Sequence, residues 1–484
     1  MIRVWSDKEH AGVIDRLQPR GSTFAYDPKA AKERAVSVTM PVRLQSWDSR
    51  SGLLPIFEMN LPEGALRERL IRRFAKATGT FDDLDLLSVV GRTQIGRLRY
   101  SGLNENLEEE VPFQSIDEIL RARRDGELFT YLLESYAVHS GLSGVQPKVM
   151  IRALGEKISD QKVRNSPSIM SATHIVKMWD PDEYPELAAN EFFCLSAAKK
   201  ICLNVPPFQL SDDGGAIIVD RFDIVDEQYL GFEDFCVLNA LGTGDKYNGS
   251  YESRLFKRLR EYMAPGDAPA ALEKAFKLFA LNCAIRNGDA HLKNFGVTYS
   301  DVNGDLSLAP VYDLVTTWAY IPNDPMALTL NGSTRWPDRK RILELGRVRC
   351  GIAQAKAEEF LEEIADVMSE VAPEIKRYFC DRENEVGERM LSAWEAGIKD
   401  SLGVVRGLTA ICQPAKKKPK VAKSDAVFLE HLRQNNGTIQ GSIRAIADEL
   451  VMPSSTLSAS IRRLTDRGLI ERDGQRYTLQ DREV

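Results

Sequence analysis

The stretch Arg286-Asn-Gly-Asp-Ala-His-Leu-Lys-Asn294 decides the fold of this 484-residue chain, because it places an acid, Asp289, five residues before an amide, Asn294. A β-hairpin turned at Asn303-Gly304 is predicted next. Its return strand leads to a second acid, Asp313. Two acids and an amide that converge on one metal cluster are what phosphoryl transfer requires, because the protein mainly positions and neutralises phosphate.

The D-x-x-x-x-N spacing is also that of the catalytic loop of protein kinases, in which the Asp accepts the proton of the substrate hydroxyl and the Asn holds Mg²⁺. Kinases bring their second metal-binding Asp to the site in the same order of loop, hairpin and acid. An Asp and an Asn at this spacing also occur often by chance. The alternative interpretation of this stretch is therefore a polar loop followed by a surface hairpin.

Composition indicates a soluble globular protein of two to four domains, with 43% hydrophobic and 28% charged residues. No run of eighteen apolar residues is present, and the first residues lack the apolar region of a signal peptide. Seven cysteines form no C-x-x-C pair and the chain has five histidines, so neither a disulfide framework nor a zinc site is indicated. We therefore expect a cytoplasmic protein that makes no membrane contact.

The net charge of −6 is unevenly distributed. Residues 413–484 contain 13 Lys and Arg against 9 Asp and Glu, a net charge of +4. The preceding residues contain 51 against 61, a net charge of −10. A basic tail on an acidic body predicts that any contact with nucleic acid lies at the C-terminus.

The first 105 residues are predicted to form an N-terminal subdomain of short strands and one clear helix. Residues 35–42 alternate like a strand, and residues 62–74 have apolar side chains at helical spacing. Nothing in this part of the sequence suggests catalysis, so we expect a packing or interaction role for it.

A loop with two glycines, His139-Ser-Gly-Leu-Ser-Gly-Val-Gln-Pro-Lys148, precedes a predicted strand over residues 149–152. Glycines three residues apart, flanked by serines and followed by a lysine, suit a loop whose backbone N–H groups face phosphate oxygens. The candidate phosphate-binding residues are Gly141, Ser143, Gly144, Val145 and Lys148. The G-K-[ST] ending of a Walker A sequence is missing, and an ordinary β-turn is the alternative.

A predicted strand over residues 173–179 presents Lys177, and a predicted helix over residues 185–200 contains Glu191. Protein kinases pair a strand lysine with a helix glutamate to hold the lysine against the nucleotide phosphates. A further strand, over residues 216–222, lies where the hinge of a kinase would run. Each of these features alone is more often structural. Their order along the chain, from glycine loop to strand lysine, helix glutamate and hinge strand, favours a nucleotide-binding site.

The C-terminal residues predict an independent module, 426–484, after a basic linker at residues 412–425. Three helices are expected, and then a hairpin turned at Asp473-Gly474, which together form the DNA-reading winged helix–turn–helix. Candidates for contact with duplex DNA are Thr456, Ser460, Arg462, Arg463 and Arg467, of which Thr456, Ser460 and Arg463 are expected on the exposed side of the third helix. A winged helix used for protein contacts or dimerisation is the alternative.

Residues 1 to about 410 resemble the HipA-like toxin kinases of bacterial toxin–antitoxin systems. The stretches that carry the resemblance are LPEG at 61–64, LSGVQPK at 142–148, THIVK at 173–177, VDRFD at 219–223, GDAHLKN at 288–294 and VYDL at 311–314. The resemblance implies an α+β, bilobal protein-kinase-like fold. Its parts would be the N-terminal subdomain (1–105), a nucleotide-binding lobe (106–222) and a mainly helical catalytic lobe (223–411).

The same resemblance implies ATP and Mg²⁺ as cofactors and gives the candidate residues their roles. Asp289 would be the catalytic base, and Asn294 and Asp313 the Mg²⁺ ligands. Lys177 would bind phosphate. The other expected nucleotide contacts are Glu191, Asp220 and Phe222 at the hinge, His291 and Lys293.

The family's well-studied toxins phosphorylate an aminoacyl-tRNA synthetase and are restrained by a small helix–turn–helix antitoxin. We therefore expect a synthetase or another translation factor as substrate and an antitoxin as partner. Two features depart from the family. Gly141 stands where family members often have a self-phosphorylated serine, so that Ser143 or Ser140 becomes the candidate site. The winged helix, which the shorter toxins lack, either replaces the antitoxin in cis or directs the kinase to DNA.

The sequence favours an ATP- and Mg²⁺-dependent serine/threonine protein kinase, self-inactivated through its glycine loop, whose C-terminal domain autoregulates its operon. One alternative is a DNA-binding transcription regulator whose kinase-like body senses a nucleotide or ligand. The two acids and Lys177 argue against it, because a sensor need not keep both a base and metal ligands. A small-molecule phosphotransferase would use the same residues and is the other alternative.

Overall fold

The computed structural model describes residues 1–78, 81–107, 110–122, 127–144, 146–153, 171–178, 184–226, 228–380, 382, 384–408, 423–435, 437–450, 452–466 and 469–480. The chain divides into two compact units, Met1–Ala410 and Ile411–Val484. The division falls at the predicted linker, most of which lies outside the described ranges. None of the described helices is long and apolar enough to cross a lipid bilayer.

The N-terminal part of the first unit is an antiparallel sheet with three helices. Its strands are β1 (Ile2–Ser6), β2 (Glu9–Leu17), β3 (Gly21–Tyr26), β4 (Trp47–Ser49) and β5 (Leu98–Gly102), in the order β4-β3-β2-β1-β5. The helices are α1 (Pro55–Glu58), α2 (Gly64–Thr78) and α3 (Asp83–Val90). Alternate residues of β1 and β3 are buried, as expected for strands with one face on a core.

The predicted strand at residues 35–42 is wrong. This segment contains only an isolated bridge between Ser37 and Met40. Side chains satisfy its backbone groups: the Tyr26 hydroxyl donates to the carbonyl oxygen of Met40 at 2.5 Å, and the N–H of Val38 donates to Glu233 Oε1 at 2.8 Å. The alternating apolar residues therefore pack as a turn rather than in a sheet.

A second sheet carries the glycine loop and Lys177. Its strands are β6 (Phe113–Gln114), β7 (Lys148–Ala153), β8 (His174–Met178), β9 (Phe208–Leu210) and β10 (Ala216–Asp220), in the order β6-β7-β8-β10-β9. Its helices are α4 (Ile116–Arg121), α5 (Glu127–Tyr136) and α6 (Leu187–Lys200). The β7–β8 pair is antiparallel and sets Lys148 directly opposite Lys177. Both lysines therefore lie on the same face of the sheet.

The rest of the first unit is mainly helical, as predicted from the sequence. It begins with the short pair β11 (Ile224–Val225) and β12 (Gln228–Tyr229) and the sheet of β13 (Gly231–Asp234), β14 (Gly296–Tyr299) and β15 (Ser307–Leu308). The helices are α7 (Phe235–Leu238), α8 (Lys257–Tyr262), α9 (Ala268–Ala284), α10 (Arg339–Leu345), α11 (Gln354–Cys380) and α12 (Val386–Gly397). Helix α9 is buried on most sides, since it packs against both α11 and α12.

Two hydrophobic cores hold the first unit together. One joins the N-terminal sheet to the glycine-loop sheet, so that the predicted parts 1–105 and 106–222 share a single core. The other lies among the helices of the predicted catalytic lobe. The candidate site residues lie on elements that pack on both cores.

The described residues of the second unit have a core of their own and form three helices and three strands. These are α13 (Lys423–Gln434), β16 (Thr438–Gln440), α14 (Ile443–Glu449), α15 (Ser454–Asp466), β17 (Ile470–Asp473) and β18 (Arg476–Leu479), with strand order β16-β18-β17. Phe428, Leu457, Ile461 and Tyr477 are among its buried residues. The three expected helices and the hairpin are all present.

Candidate active site

A cavity of about 800 Å³ lies in the first unit between the glycine loop and the stretch 286–294. Eleven residues predicted for the site line it: Ser143, Gly144, Lys148, Lys177, Glu191, Phe222, Asp289, His291, Lys293, Asn294 and Asp313. The structure therefore brings together residues that are up to 170 positions apart in the sequence. Val145, the remaining loop candidate between Gly144 and Lys148, lies outside the described residues.

A buried cluster of charges forms one wall of the cavity. The ammonium group of Lys177 lies 2.5 Å from Glu191 Oε1 and also contacts Asp313 Oδ1. Burial lowers the pKa of Lys177, but Asp313 and Glu191 outweigh that effect and raise it above its ordinary value. Lys177 is therefore a permanent cation. Burial raises the pKa of Glu191, against the opposing effect of Lys177.

The second lysine of the cluster has a different environment. Lys148 Nζ lies 3.3 Å from the carbonyl oxygen of Ser143, and burial lowers the pKa of Lys148. Asp313 opposes this lowering, but none of the described hydrogen bonds or ion pairs of Lys148 is to a carboxylate, so an anion in the cavity would add a direct counter-charge. The two opposed lysines thus present positive charge to the cavity from neighbouring strands.

The second acid is held next to the loop amide. Asn294 Nδ2 donates to the carbonyl oxygens of Asp289 at 3.1 Å and Asp313 at 3.4 Å, which leaves its Oδ1 free of these two hydrogen bonds as the candidate ligand atom. Asp313 adopts a left-handed conformation, with φ of 50°. Burial would raise the pKa of Asp313, but Lys148 and Lys177 lower it well below its ordinary value. Asp313 therefore remains ionised, as a ligand for a hard cation must be.

The candidate base lies at the mouth of the cavity. The side chain of Asp289 is 49% exposed, and its Oδ1 accepts a hydrogen bond of 2.6 Å from the hydroxyl of Tyr247. His291 Nε2 lies 4.0 Å from the same oxygen. Burial lowers the pKa of His291 to about 4, so this imidazole is neutral at pH 7 and places no positive charge beside the Asp289 carboxylate.

Contacts of Arg286 and Gly288 hold the stretch 286–294 in place. Arg286 is buried, and it donates to Ser401 Oγ at 2.9 Å and to the carbonyl oxygen of Ala396 at 3.0 Å. Gly288 allows close approach, because a Cβ there would clash with Asp324 and lie 2.6 Å from the carbonyl oxygen of Pro325. Asp289 is thus presented by a rigid turn.

Sequence reasoning missed a contribution of the N-terminal subdomain. Glu63 lines the cavity, where it accepts a hydrogen bond of 2.5 Å from the Ser143 hydroxyl. Its carboxylate lies 3.3 Å from Lys246 Nζ and 3.9 Å from Lys293 Nζ. Burial raises the pKa of Glu63, but Ser143 and Lys293 bring it below its ordinary value. Residues 1–105 were expected to have a packing or interaction role, yet Glu63 lines the cavity; its one signal in the sequence was the LPEG run.

Comparison with known proteins decides the family. The model of the HipA N-terminal domain matches residues 2–101, and that of the HipA-like C-terminal domain matches residues 140–372. The chain belongs to the HipA family. Similar proteins include those of Sinorhizobium fredii named "Putative kinase Y4dM" and "Putative kinase Y4mE", each 26% identical. The alignments span 81% and 66% of this chain and 86% and 78% of the relatives.

A solved HipA structure has the same fold. The HipA chain of Shewanella oneidensis MR-1, determined in complex with HipB and its operator DNA, superposes with a TM-score of 0.58 at 20% identity. The superposition covers 83% of this chain and 98% of the Shewanella chain. At this identity the likeness establishes the fold and leaves the roles of individual residues to the geometry.

Three predicted residues lie away from the cavity of this HipA fold. Asp220 faces His174, with 3.1 Å between Oδ1 and Nε2. Ser140 is buried and donates to the carbonyl oxygen of Tyr136 at 2.7 Å. Gly141 is packed against Thr93 and Gln94, which leave no space for a side chain. Of the two loop serines, Ser143 is therefore the one that lines the cavity.

The second unit corrects the expectation for one DNA-contact candidate, Ser460, which is fully buried because position 460 falls within the stripe of Leu457, Ile461 and Leu464. Arg463 is 40% exposed, as expected for the exposed side of the helix, but its Nη2 lies 2.5 Å from Oδ1 of Asp425, whose side chain is fully buried. Thr456 is partly buried, Arg462 is exposed, and Arg467 lies outside the described residues.

Proposed function

We propose that this HipA-family protein is an ATP- and Mg²⁺-dependent protein kinase that transfers the γ-phosphate to a serine or threonine hydroxyl. The observation that carries the proposal is the convergence of Lys148, Lys177, Asp289, Asn294 and Asp313 on one cavity. The two relatives named as kinases are consistent with it. A protein of the translation machinery is the proposed substrate.

Each residue has a role that its environment supports. Lys148 and Lys177 neutralise phosphate charge, and Glu191 keeps Lys177 in place. Asp289 accepts the proton of the acceptor hydroxyl, because it is half-exposed, held by a rigid loop and already accepts a hydrogen bond from a hydroxyl at Oδ1. Ser143 and the backbone of its loop cover the phosphates.

Asn294 Oδ1 and Asp313 Oδ2 fit Mg²⁺, since both are hard oxygen ligands beside a phosphate site. The described residues contain no group of three His, Cys, Asp or Glu side chains that could hold a metal by themselves. The remaining ligands would come from phosphate and water, as is usual for Mg²⁺. When bound, the ion neutralises the charge that develops on the phosphates during transfer.

Radiolabel transfer from γ-labelled ATP into a whole-cell lysate tests the proposed activity. Wild-type protein should label one or a few proteins on serine or threonine. Asp289→Ala should reduce this labelling by about 10²–10⁴-fold while retaining its fold. A protein that binds ATP but labels nothing would instead be a nucleotide sensor, and labelling of small molecules alone would make it a small-molecule phosphotransferase.

Self-inactivation through Ser143 is part of the proposal. Phosphate on Ser143 would place a dianion against the Glu63 carboxylate, 2.5 Å from the present hydroxyl, and would compete with ATP phosphates. The loop would then leave the cavity. Intact-mass measurement after incubation with ATP and Mg²⁺, combined with Ser143→Ala, tests this step; an active protein that gains no mass would contradict it.

We further propose that the second unit is a winged helix that binds duplex DNA. Its element order, with three helices, a strand between the first two helices and a final hairpin, supports this fold. Arg462 on α15 is the exposed candidate for base or phosphate contact. Arg462→Ala should weaken binding to the promoter of its own operon and shallow the log–log salt dependence by about one unit. Unchanged binding would exclude α15 as the contact helix.

A further inference from the structure

Tyr247 holds the position in which a phosphate acceptor has to place its hydroxyl. Its hydroxyl donates to Asp289 Oδ1 at 2.6 Å. Under the proposed function, on which this inference rests, Asp289 takes the proton of the acceptor hydroxyl. A side chain of the protein itself therefore already makes the hydrogen bond that the acceptor of the reaction must make.

Two of the other three tyrosines that line the cavity have hydroxyls engaged elsewhere, and the third, Tyr184, makes an edge contact with the Tyr320 ring. The Tyr312 hydroxyl donates to the carbonyl oxygen of Lys293 at 2.9 Å, and its ring lies against Phe222. The Tyr320 hydroxyl donates to the carbonyl oxygen of Pro185 at 3.1 Å. Both of these hydroxyls are satisfied by backbone, whereas that of Tyr247 is directed at the candidate base.

The surroundings of Tyr247 leave it accessible and adjustable. The residue is 48% exposed, and its ring makes an edge contact of 5.0 Å with His291. It lies in a surface loop between α7 and α8 that contains Gly242, Gly244 and Gly249. A hydroxyl on such a loop can shift the small distance that in-line attack on a bound phosphate requires.

We infer that Tyr247 is a self-phosphorylation site. The Tyr247 oxygen forms a bond to the γ-phosphorus of ATP, and the bond from that phosphorus to the β,γ-bridging oxygen breaks. The electron pair of the broken bond leaves with ADP, and the hydroxyl proton passes to Asp289 Oδ1. The product, phosphotyrosine, carries a charge of about −2 beside Asp289, so it blocks the acceptor position and limits further turnover.

The reaction takes place within one molecule, because the hydroxyl already lies in the site of its own chain. The labelled fraction per unit time should therefore not change over a tenfold range of protein concentration. Lys246, whose ammonium group lies 5.5 Å from the Tyr247 ring centroid, provides a counter-charge close to the product.

Phosphopeptide mapping of the full-length protein after incubation with ATP and Mg²⁺ tests the inference. Wild type should yield phosphotyrosine at Tyr247, and Asp289→Asn should lower that signal by about a hundredfold. Tyr247→Phe should lose the phosphotyrosine. Tyr131→Phe, which alters a tyrosine that is 50% exposed and does not line the cavity, should keep it.

The outcomes separate the inference from the proposed function. Transfer to Ser143 or to a lysate protein without phosphate on Tyr247 would overturn the inference and leave the kinase activity standing. Phosphate on Tyr247 whose rate rises with protein concentration would also overturn it. If Tyr247→Phe lowered kcat for lysate substrates while wild type had no phosphotyrosine, Tyr247 would be a positioning residue only. Absence of all transfer would overturn both.

Discussion

The cleft and the C-terminal unit both bury charged side chains, but they differ in what those side chains face. In the cleft, Lys148 and Lys177 are held on one strand pair and border a cavity of about 800 Å³. In the C-terminal unit, buried Asp425 is paired with Arg463, and Ser424 and Ser460 complete the network.

This comparison distinguishes buried charges that are available to a ligand from buried charges that stabilise the fold. A buried ion is costly unless it is paired, so a lysine that makes no direct ion pair with a carboxylate favours an anion that comes from outside. Lys148 makes no such ion pair among the described contacts, although Asp313 acts on it at longer range. Arg463, a candidate for ligand contact from sequence, is instead bound to a neighbour in its own unit.

The largest expected effect is that of Lys177→Met. Glu191 and Asp313 would lose their shared cation, and the phosphate site would lose a charge. Phosphoryl transfer should fall by about 10²–10³-fold, and the free energy of unfolding by about 3–5 kcal/mol. Transfer assays and urea unfolding measure the two effects. The control Lys199→Met, an exposed change on α6, should alter neither quantity. Near-normal phosphoryl transfer by Lys177→Met would contradict the claim that the buried charges of the cleft serve a ligand.

Glu233 provides a buried charge of the first unit outside the cleft. Its carboxylate accepts hydrogen bonds from Ser37, Val38 and Tyr299, and burial raises its pKa to about 7. Between the ordinary pKa of a glutamate and pH 7 the folded protein therefore binds the proton more tightly than the unfolded chain. The free energy of unfolding should fall by about 2 kcal/mol between pH 5 and pH 8 on account of this group.

Urea unfolding at the two pH values measures that decrease. Glu233→Gln should be less sensitive to pH than wild type by this amount, whereas exposed Glu134→Gln should behave like wild type. An unchanged pH dependence in Glu233→Gln would mean that the carboxyl stays ionised in the folded protein. The hydrogen bonds to Glu233 would then compensate the free-energy cost of burying its charge.

A smaller effect is expected for Arg463→Ala, which leaves Asp425 buried without its guanidinium partner. Amide hydrogen exchange in α13 and α15 of the full-length protein should become about tenfold faster. Arg462→Ala should leave exchange unchanged, although it weakens DNA binding. If Arg463→Ala weakened DNA binding without faster exchange, the pair with Asp425 would be incidental and the original sequence prediction would be restored.

Strong local patterns allowed much of the fold to be predicted. Strands β7 and β8 and helix α6 lie within a few residues of their expected positions, because apolar periodicity and turn residues define them. The predicted strand at 35–42 failed because its backbone hydrogen bonds go to the side chains of Tyr26 and Glu233. No local pattern contains such long-range partners.

The same limit applies to the site. The acids, the amide and the lysines could be predicted because their order along the chain is informative. Glu63 and Tyr247 could not, because packing brings them to Ser143 and Asp289 from 80 and 42 residues away. Arg463 shows the opposite error, because a residue predicted to contact a ligand is paired within its own unit. Its position on the exposed side of α15 does not reveal that Asp425, near the start of α13, lies beside it.

The measurement that tests the central claim most directly is phosphoryl transfer and thermal unfolding of Asp313→Asn in parallel. Asparagine tolerates the left-handed conformation at this position, so the backbone is preserved. If the buried charges of the cleft serve ATP and Mg²⁺, transfer should fall by about 10³-fold or more at temperatures where the variant is folded, and ATP with Mg²⁺ should raise the Tm of the variant much less than that of wild type. The claim is contradicted if ATP and Mg²⁺ raise the Tm of Asp313→Asn as much as that of wild type, or if the variant transfers phosphate within tenfold of wild type.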